Sequence, residues 1–276
     1  MYNQELLNDR GFNYPELFSP KGGVRTANHS IALFNIFSKS RLDYRINAGK
    51  DIISIEQDLS IYKHSLLSEL LKKGNLILSG EDVSDLSVYE QRIMAIYLSS
   101  FSSVLKIFAV IRSPYSLHCS AFAGMINNGR DLKPTDFLSQ QAKIKKLLTS
   151  FTRIGNIDGI TMIPFSSSIK SPQGPAKFLL EAMGVSNLDN LVVKKANEGL
   201  SNEQTRNQME LNFKNPRVVS RVINQEWQRA PTIKGPKFLL SKEELDSIMP
   251  KLLEENRWFK ANLGPEFCDT NFPTCD

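Results

Sequence analysis

The chain has 276 residues, 41% of them hydrophobic and 23% charged, which suits one large α/β domain, or one domain with a helical appendage, able to bury its core without disulfides or metals. The formal charge of +5 is spread thinly. The densest basic runs, Lys143-Ile-Lys-Lys146 and Lys194-Lys195, are short and lack interleaved aromatics, which argues against nucleic acid, and the positive balance is only a weak pointer to an anionic ligand.

In chain order, residues 2–9 read as the end of a helix stopped by Gly11, and residues 11–15 as an extended piece. Residues 20–23 form a loop. Helices are predicted over 28–38, with Ile31, Leu33, Phe34 and Phe37 as an apolar stripe, and over 52–73, where Lys72-Lys73-Gly74 suits a helix end. Residues 75–79 read as a short buried strand, 80–85 as a turn out of the sheet and 88–101 as a helix. Residues 105–111 are a second buried strand, followed by a helix over 114–127 and a polar turn over 127–131. Thr135 or Asp136 is expected to cap a helix running to about residue 154. A third strand covers 158–164, and a helix over 175–183 closes at Gly184. Ser201-Asn-Glu-Gln204 and Ser241-Lys-Glu-Glu244 are capping-box signatures. The second helix is expected to kink or break at Pro250 before 252–263. Strands alternating with helices imply a parallel sheet covered on both faces, with ligands beyond the strand ends.

Three cysteines argue for a reducing compartment. Cys119 reads as buried packing. Cys268 and Cys275 have the spacing to pair, although two unpaired thiols fit the tail better. No apolar run reaches the roughly 18 residues of a membrane span, and the polar start is unlike a signal peptide. The expectation is a cytoplasmic protein. No metal-ligand constellation, nucleophile elbow or dinucleotide-binding glycine fingerprint is present.

One segment carries chemistry. Val110-Ile-Arg-Ser-Pro-Tyr-Ser-Leu-His-Cys-Ser-Ala-Phe reads as a strand end, a capped turn and a helix. Ser113 suits the N-cap and Pro114 the first helical position. Arg112 stands at the strand end, and Ser113, Ser116 and Ser120 share one helix face. A guanidinium and hydroxyls beside outward-pointing helix N–H groups attract phosphate. The same serines equally suit a capped helix that merely packs closely.

This segment resembles the 3′-phosphate-binding motif of sulfotransferases, in which an arginine at a strand end is followed eight positions later by a serine, as Arg112 is by Ser120. Further pieces are similar, in the same order, to bacterial carbohydrate-type members: residues 6–15 with His29, the strand ending Ser79-Gly-Glu81, residues 160–165 and 177–185, the loop 195–201, and Asn256-Arg-Trp-Phe-Lys-Ala-Asn-Leu-Gly264. The resemblance implies one sulfotransferase-like domain over 1–276. Its fold would be three-layered and P-loop-like, a parallel sheet with helices on both faces and a helical C-terminal part. It implies 3′-phosphoadenosine 5′-phosphosulfate as donor and a hydroxyl, most naturally of a carbohydrate, as acceptor. Arg112 and Ser120 would hold the donor's 3′-phosphate, and His29 or Glu81 would take the acceptor's proton. The glycine- and threonine-rich loop with which such enzymes begin has no counterpart, since Lys21-Gly-Gly23 follows no strand. Two expectations follow from that departure. Either Met1 is internal to a longer protein, or the chain is a non-catalytic nucleotide- or glycan-binding relative.

Overall fold

A computed structural model describes residues 3–19, 24–151, 157–172, 174–193, 199–215, 217–219 and 222–275. Local chemistry sets most element ends. Helix α1 (Gln4–Asn8) stops at Gly11, whose φ of 75° lies in the left-handed region that glycine enters without steric cost. Strands β1 (Phe12–Asn13), β2 (Leu17–Ser19) and β3 (Val24–Thr26) follow. The 20–23 loop lies outside the described residues. Helix α2 (His29–Phe37) is capped by Asn28, whose side chain accepts the Ser30 N–H, and α3 (Ile52–Leu70) by Asp51, which accepts the Ser54 N–H at 2.7 Å.

Strand β4 (Asn75–Leu76) is shorter than the predicted 75–79, although the Ile77 N–H still reaches the Asn13 carbonyl at 2.8 Å. A 3-10 turn (Glu81–Asp85) leads to α4 (Val88–Ser99), which has a reciprocal Ser87–Glu90 capping box. Strand β5 (Leu105–Ile111) and helix α5 (Pro114–Asn127) have the expected bounds. Then come α6 (Gln141–Ser150), β6 (Ile157–Pro164), α7 (Phe165–Lys170), α8 (Gly174–Ala182) and α9 (Asn202–Lys214). Strands β7 (Val218–Val219) and β8 (Val222–Ile223) precede the long α10 (Lys242–Asn262).

Four expectations need correction. Thr135 and Asp136 cap no helix. Asp136 closes a local turn by accepting the Lys133 N–H at 2.8 Å, and α6 starts only at Gln141. At Ser201 the box is half made: Ser201 accepts the Gln204 N–H, but the Gln204 side-chain oxygen takes the Ile233 N–H at 3.4 Å. Helix α10 does not break at Pro250. Proline there removes one N–H, leaving the Asp246 carbonyl without its helical donor, a local loss that packing of the flanking turns outweighs. Strand β5 is not buried throughout. Only Ile111 is buried, while Lys106 and Val110 are exposed, because β6 is its one strand partner among the described residues.

The chain is mixed α/β. Among the described residues the strands form four two-stranded pairs: β1 with β4 in parallel, β2 with β3 and β7 with β8 antiparallel, and β5 with β6. No helix in them is long and apolar enough to cross a membrane. The chain divides into two compact units, one of residues 1–109, 143–161 and 168–193, the other of 110–142, 162–167 and 194–276.

In the first unit, Leu17, Ala32, Leu33, Tyr62 and Leu66 pack between α2, α3 and β2, while Phe34, Tyr44, Leu86, Met94 and Phe151 form a neighbouring cluster. The predicted basic run is structural here. Lys146 donates to the Ser84 and Leu86 carbonyls at 3.1 and 3.0 Å, and Lys143 pairs with Asp85.

In the second unit, Tyr115, Phe122 and Ile126 of α5 meet Leu245, Ile248 and Leu252 of α10, with Phe238 and Leu240 beside them. Arg206 and Glu244 tie α9 to α10 with two bonds of 2.9 Å. Asn212, fully buried, donates to the Ile126 and Arg130 carbonyls at 2.7 and 3.0 Å and accepts from Gln208 and Trp227, both at 2.9 Å. Truncating it strands several buried polar groups at once. Asn212→Ala is expected to cost about 2–3 kcal/mol, read as a lowered urea midpoint at constant slope. A midpoint that does not move would show that the network contributes nothing to stability.

Candidate functional site

The four candidate residues fall two and two into the separate units: His29 and Glu81 in the first, Arg112 and Ser120 in the second.

His29 opens α2 but does not face solvent. It is fully buried beneath Tyr14, their ring centroids 4.7 Å apart. Its Nε2 lies 2.7 Å from the Pro15 carbonyl, and its Nδ1 lies 2.9 Å from the Ser79 N–H. A carbonyl only accepts and a backbone N–H only donates, so the ring is neutral with its proton on Nε2. Desolvation holds its pKa below the ordinary 6.5, with the Pro15 bond opposing that shift. Both nitrogens are used, so in this conformation the ring accepts a substrate proton only by giving up Ser79.

His29 brings the end of β4 to the start of α2. Gly80 lets the chain pass closely, since a Cβ there would meet Val83 Cγ2 at 3.1 Å and Ser30 Cα at 3.3 Å. Glu81 comes next. It is exposed and takes no hydrogen-bond partner among the described residues. Its neighbour Asp82 is the engaged carboxylate, accepting from Tyr44 at 2.6 Å and pairing with Arg45 at 3.1 Å. Burial and the Asp82 bond raise the Tyr44 phenol's pKa far above its ordinary value. His64 is exposed on α3.

In the second unit, Arg112 is half-buried at the end of β5, its guanidinium 3.9 Å from the Phe165 ring centroid. The Gln140 side chain donates to its carbonyl. Ser116 is half-buried and Ser120 exposed on α5, and Ser120 takes no hydrogen bond from the described residues. His118, off that face, is fully buried. Its Nε2 lies 2.9 Å from the Pro134 carbonyl, and its Nδ1 accepts the Leu138 N–H at 3.2 Å. Desolvation lowers its pKa as it does that of His29. Cys119 is buried packing, its thiol pushed up to about 11 by desolvation. All three cysteines are unpaired. No group of His, Cys, Asp and Glu able to hold a metal occurs among the described residues.

The start of α5 is not open, contrary to the picture of outward-pointing N–H groups. Ser113 caps no backbone N–H. Its hydroxyl donates to Asp269 of the C-terminal tail, and the other Asp269 oxygen accepts the Tyr115 N–H at 2.7 Å. Asn256 of α10 braces that carboxylate, donating to it at 3.4 Å and accepting the Asp269 N–H at 2.9 Å.

Sequence reasoning also missed Glu255, 2% exposed on α10. One of its oxygens accepts from Ser139, Gln140 N–H and Gln141 N–H at 3.1, 2.9 and 2.9 Å, while the other is buried without a partner. Desolvation raises its pKa, the Asp269 charge adds to the rise, and the three donors oppose it. Its signal was present: Leu245, Ile248, Leu252, Glu255 and Phe259 are spaced three and four apart, so the glutamate stands in an apolar stripe.

Comparisons with protein-family models, curated proteins and solved structures return no match.

The two buried histidines make stability depend on pH. Each has a folded pKa below its unfolded 6.5, so between those values the unfolded chain binds more protons. Stability is therefore fully present above about pH 6.5 and is lost as the pH falls through the depressed values. The loss between pH 7 and pH 5, followed by urea unfolding, is expected to shrink in His29→Gln and again in His118→Gln. An unchanged loss in both variants would show that neither ring is held neutral.

Proposed function

We propose that the chain binds an adenosine 3′-phosphate nucleotide through Arg112 and Ser120 and transfers a sulfonate group from 3′-phosphoadenosine 5′-phosphosulfate to a hydroxyl of a carbohydrate or similar small acceptor. The observation that carries this reading is the end of β5. Arg112 is held there by the Phe165 ring and by the Gln140 bond to its carbonyl, and the exposed Ser120 follows on α5. A planar guanidinium fixed by stacking keeps its donors in a fork suited to phosphate oxygens. The mixed α/β content is compatible with a three-layer P-loop-like sheet, which the reading supposes, and three unpaired thiols suit a reducing cytoplasm.

In the transfer, the acceptor oxygen forms a bond to sulfur as the bond from sulfur to the donor's phosphate oxygen breaks, and the acceptor proton passes to a base. The donor supplies the activated sulfonate. Arg112 and Ser120 anchor the spectator phosphate and take no part in bond making. Of the two base candidates, Glu81 is an exposed carboxylate with no partner among the described residues, whereas His29 has both nitrogens committed. Within the first unit, His29 therefore positions Ser79, and Glu81 is the candidate whose carboxylate is unengaged.

A second reading, a non-catalytic nucleotide- or glycan-binding protein, is favoured by that same tied imidazole. Labelled donor with a panel of sugar acceptors separates the two: product supports transfer, and nucleotide binding without product supports the second reading.

Calorimetric titration with 3′,5′-adenosine bisphosphate tests both. Binding is expected, and Arg112→Ala is expected to weaken it by about 1.5–3 kcal/mol, roughly tenfold to a hundredfold in Kd. Equal affinity in the variant would remove Arg112 from the site, and no binding either to the unaltered protein or to one lacking the Asp269 carboxylate at the same corner would end the nucleotide reading.

A further inference from the structure

The C-terminal tail is attached to the start of α5 at several points. Asp269 takes the Ser113 hydroxyl and the Tyr115 N–H. Phe272 meets the Tyr115 ring edge-on at 5.7 Å, and the Tyr115 hydroxyl donates to the Pro273 carbonyl. The Cys275 N–H reaches the Leu240 carbonyl at 3.0 Å. Yet the tail contributes little to the core, since Thr270, Asn271, Pro273 and Cys275 are exposed and Phe272 is only partly buried.

Two features separate this from ordinary capping. An N-cap serine normally turns its oxygen inward to accept a backbone N–H, and Ser113 instead turns its hydroxyl outward as a donor. Hydroxyl and N–H together thus form a two-donor cradle, and the group seated in it is an anion from more than 150 residues away. The cradle also directly follows Arg112, the residue to which the nucleotide reading assigns phosphate binding.

We propose that residues 268–275 form an autoinhibitory strap in which Asp269 serves as an internal anion at the start of α5, and that a phosphorylated ligand engages this corner fully only when the strap is displaced. The identity of that ligand rests on the nucleotide reading; the strap itself does not. Binding is then weakened by the fraction of molecules whose corner is occupied, and removing the carboxylate restores it. Ligand occupancy in turn frees the tail, because coupling between two events at one site is reciprocal.

The test titrates the full chain, Asp269→Ala and Asp269→Asn with 3′,5′-adenosine bisphosphate and, separately, with inorganic pyrophosphate. The asparagine variant keeps a side-chain oxygen for the Tyr115 N–H and so guards against loss of fold. Tightening by about fivefold or more in Asp269→Ala, with an equal or smaller gain in Asp269→Asn, supports the strap. Gains confined to pyrophosphate keep the strap and reject the nucleotide. Affinities equal within about twofold, or weaker in both variants, overturn the strap alone. No binding of either anion to any of the three proteins overturns both proposals.

Discussion

A neutral imidazole can donate at one nitrogen and accept at the other, and this chain uses that property twice to join loops that no helix or sheet ladder reaches. His29 holds the Pro15 carbonyl and the Ser79 N–H, and His118 holds the Pro134 carbonyl and the Leu138 N–H. Each ring is fully buried, so either backbone partner left without it would carry a desolvation cost of about 1–3 kcal/mol. The same arrangement sets the position of the candidate residues. In the first unit it fixes the turn that presents Glu81. In the second it fixes the segment leading to Gln140, whose side chain meets the Arg112 carbonyl.

This constraint separates holding from reacting. A histidine with both nitrogens bonded to backbone is a clamp, and its lowered pKa follows from burial rather than from preparation for proton transfer. Glu255 belongs to the same class of buried polar braces. It gathers Ser139, Gln140 and Gln141 at the start of α6 through one oxygen and leaves the other without a partner. Of the four candidate residues, Glu81 in one unit and Ser120 in the other are the exposed ones.

Much of the local structure was legible from residue types, element by element. Asn28, Asp51, Ser87 and Ser241 stand at helix starts, and Gly11 and Gly184 at helix ends. These signals work because the interactions span only three or four residues. The errors have the same origin. Asp136 reads as a cap because aspartate caps helices and closes turns with the same side-chain bond. Gln204 reads as half of a capping box until Ile233 supplies a competing donor.

By itself the sequence determined most of the helices, the strand–turn–helix of β5 and α5, and the helix face that Ser113, Ser116 and Ser120 share. Only the tertiary structure decided what those groups touch. Ser79 comes to His29 from 50 residues away, and Asp269 comes to the start of α5 from more than 150. The reason is physical: capping and periodicity are settled by neighbours along the chain, whereas burial and the partner of a buried polar atom are settled by which distant segments pack around it.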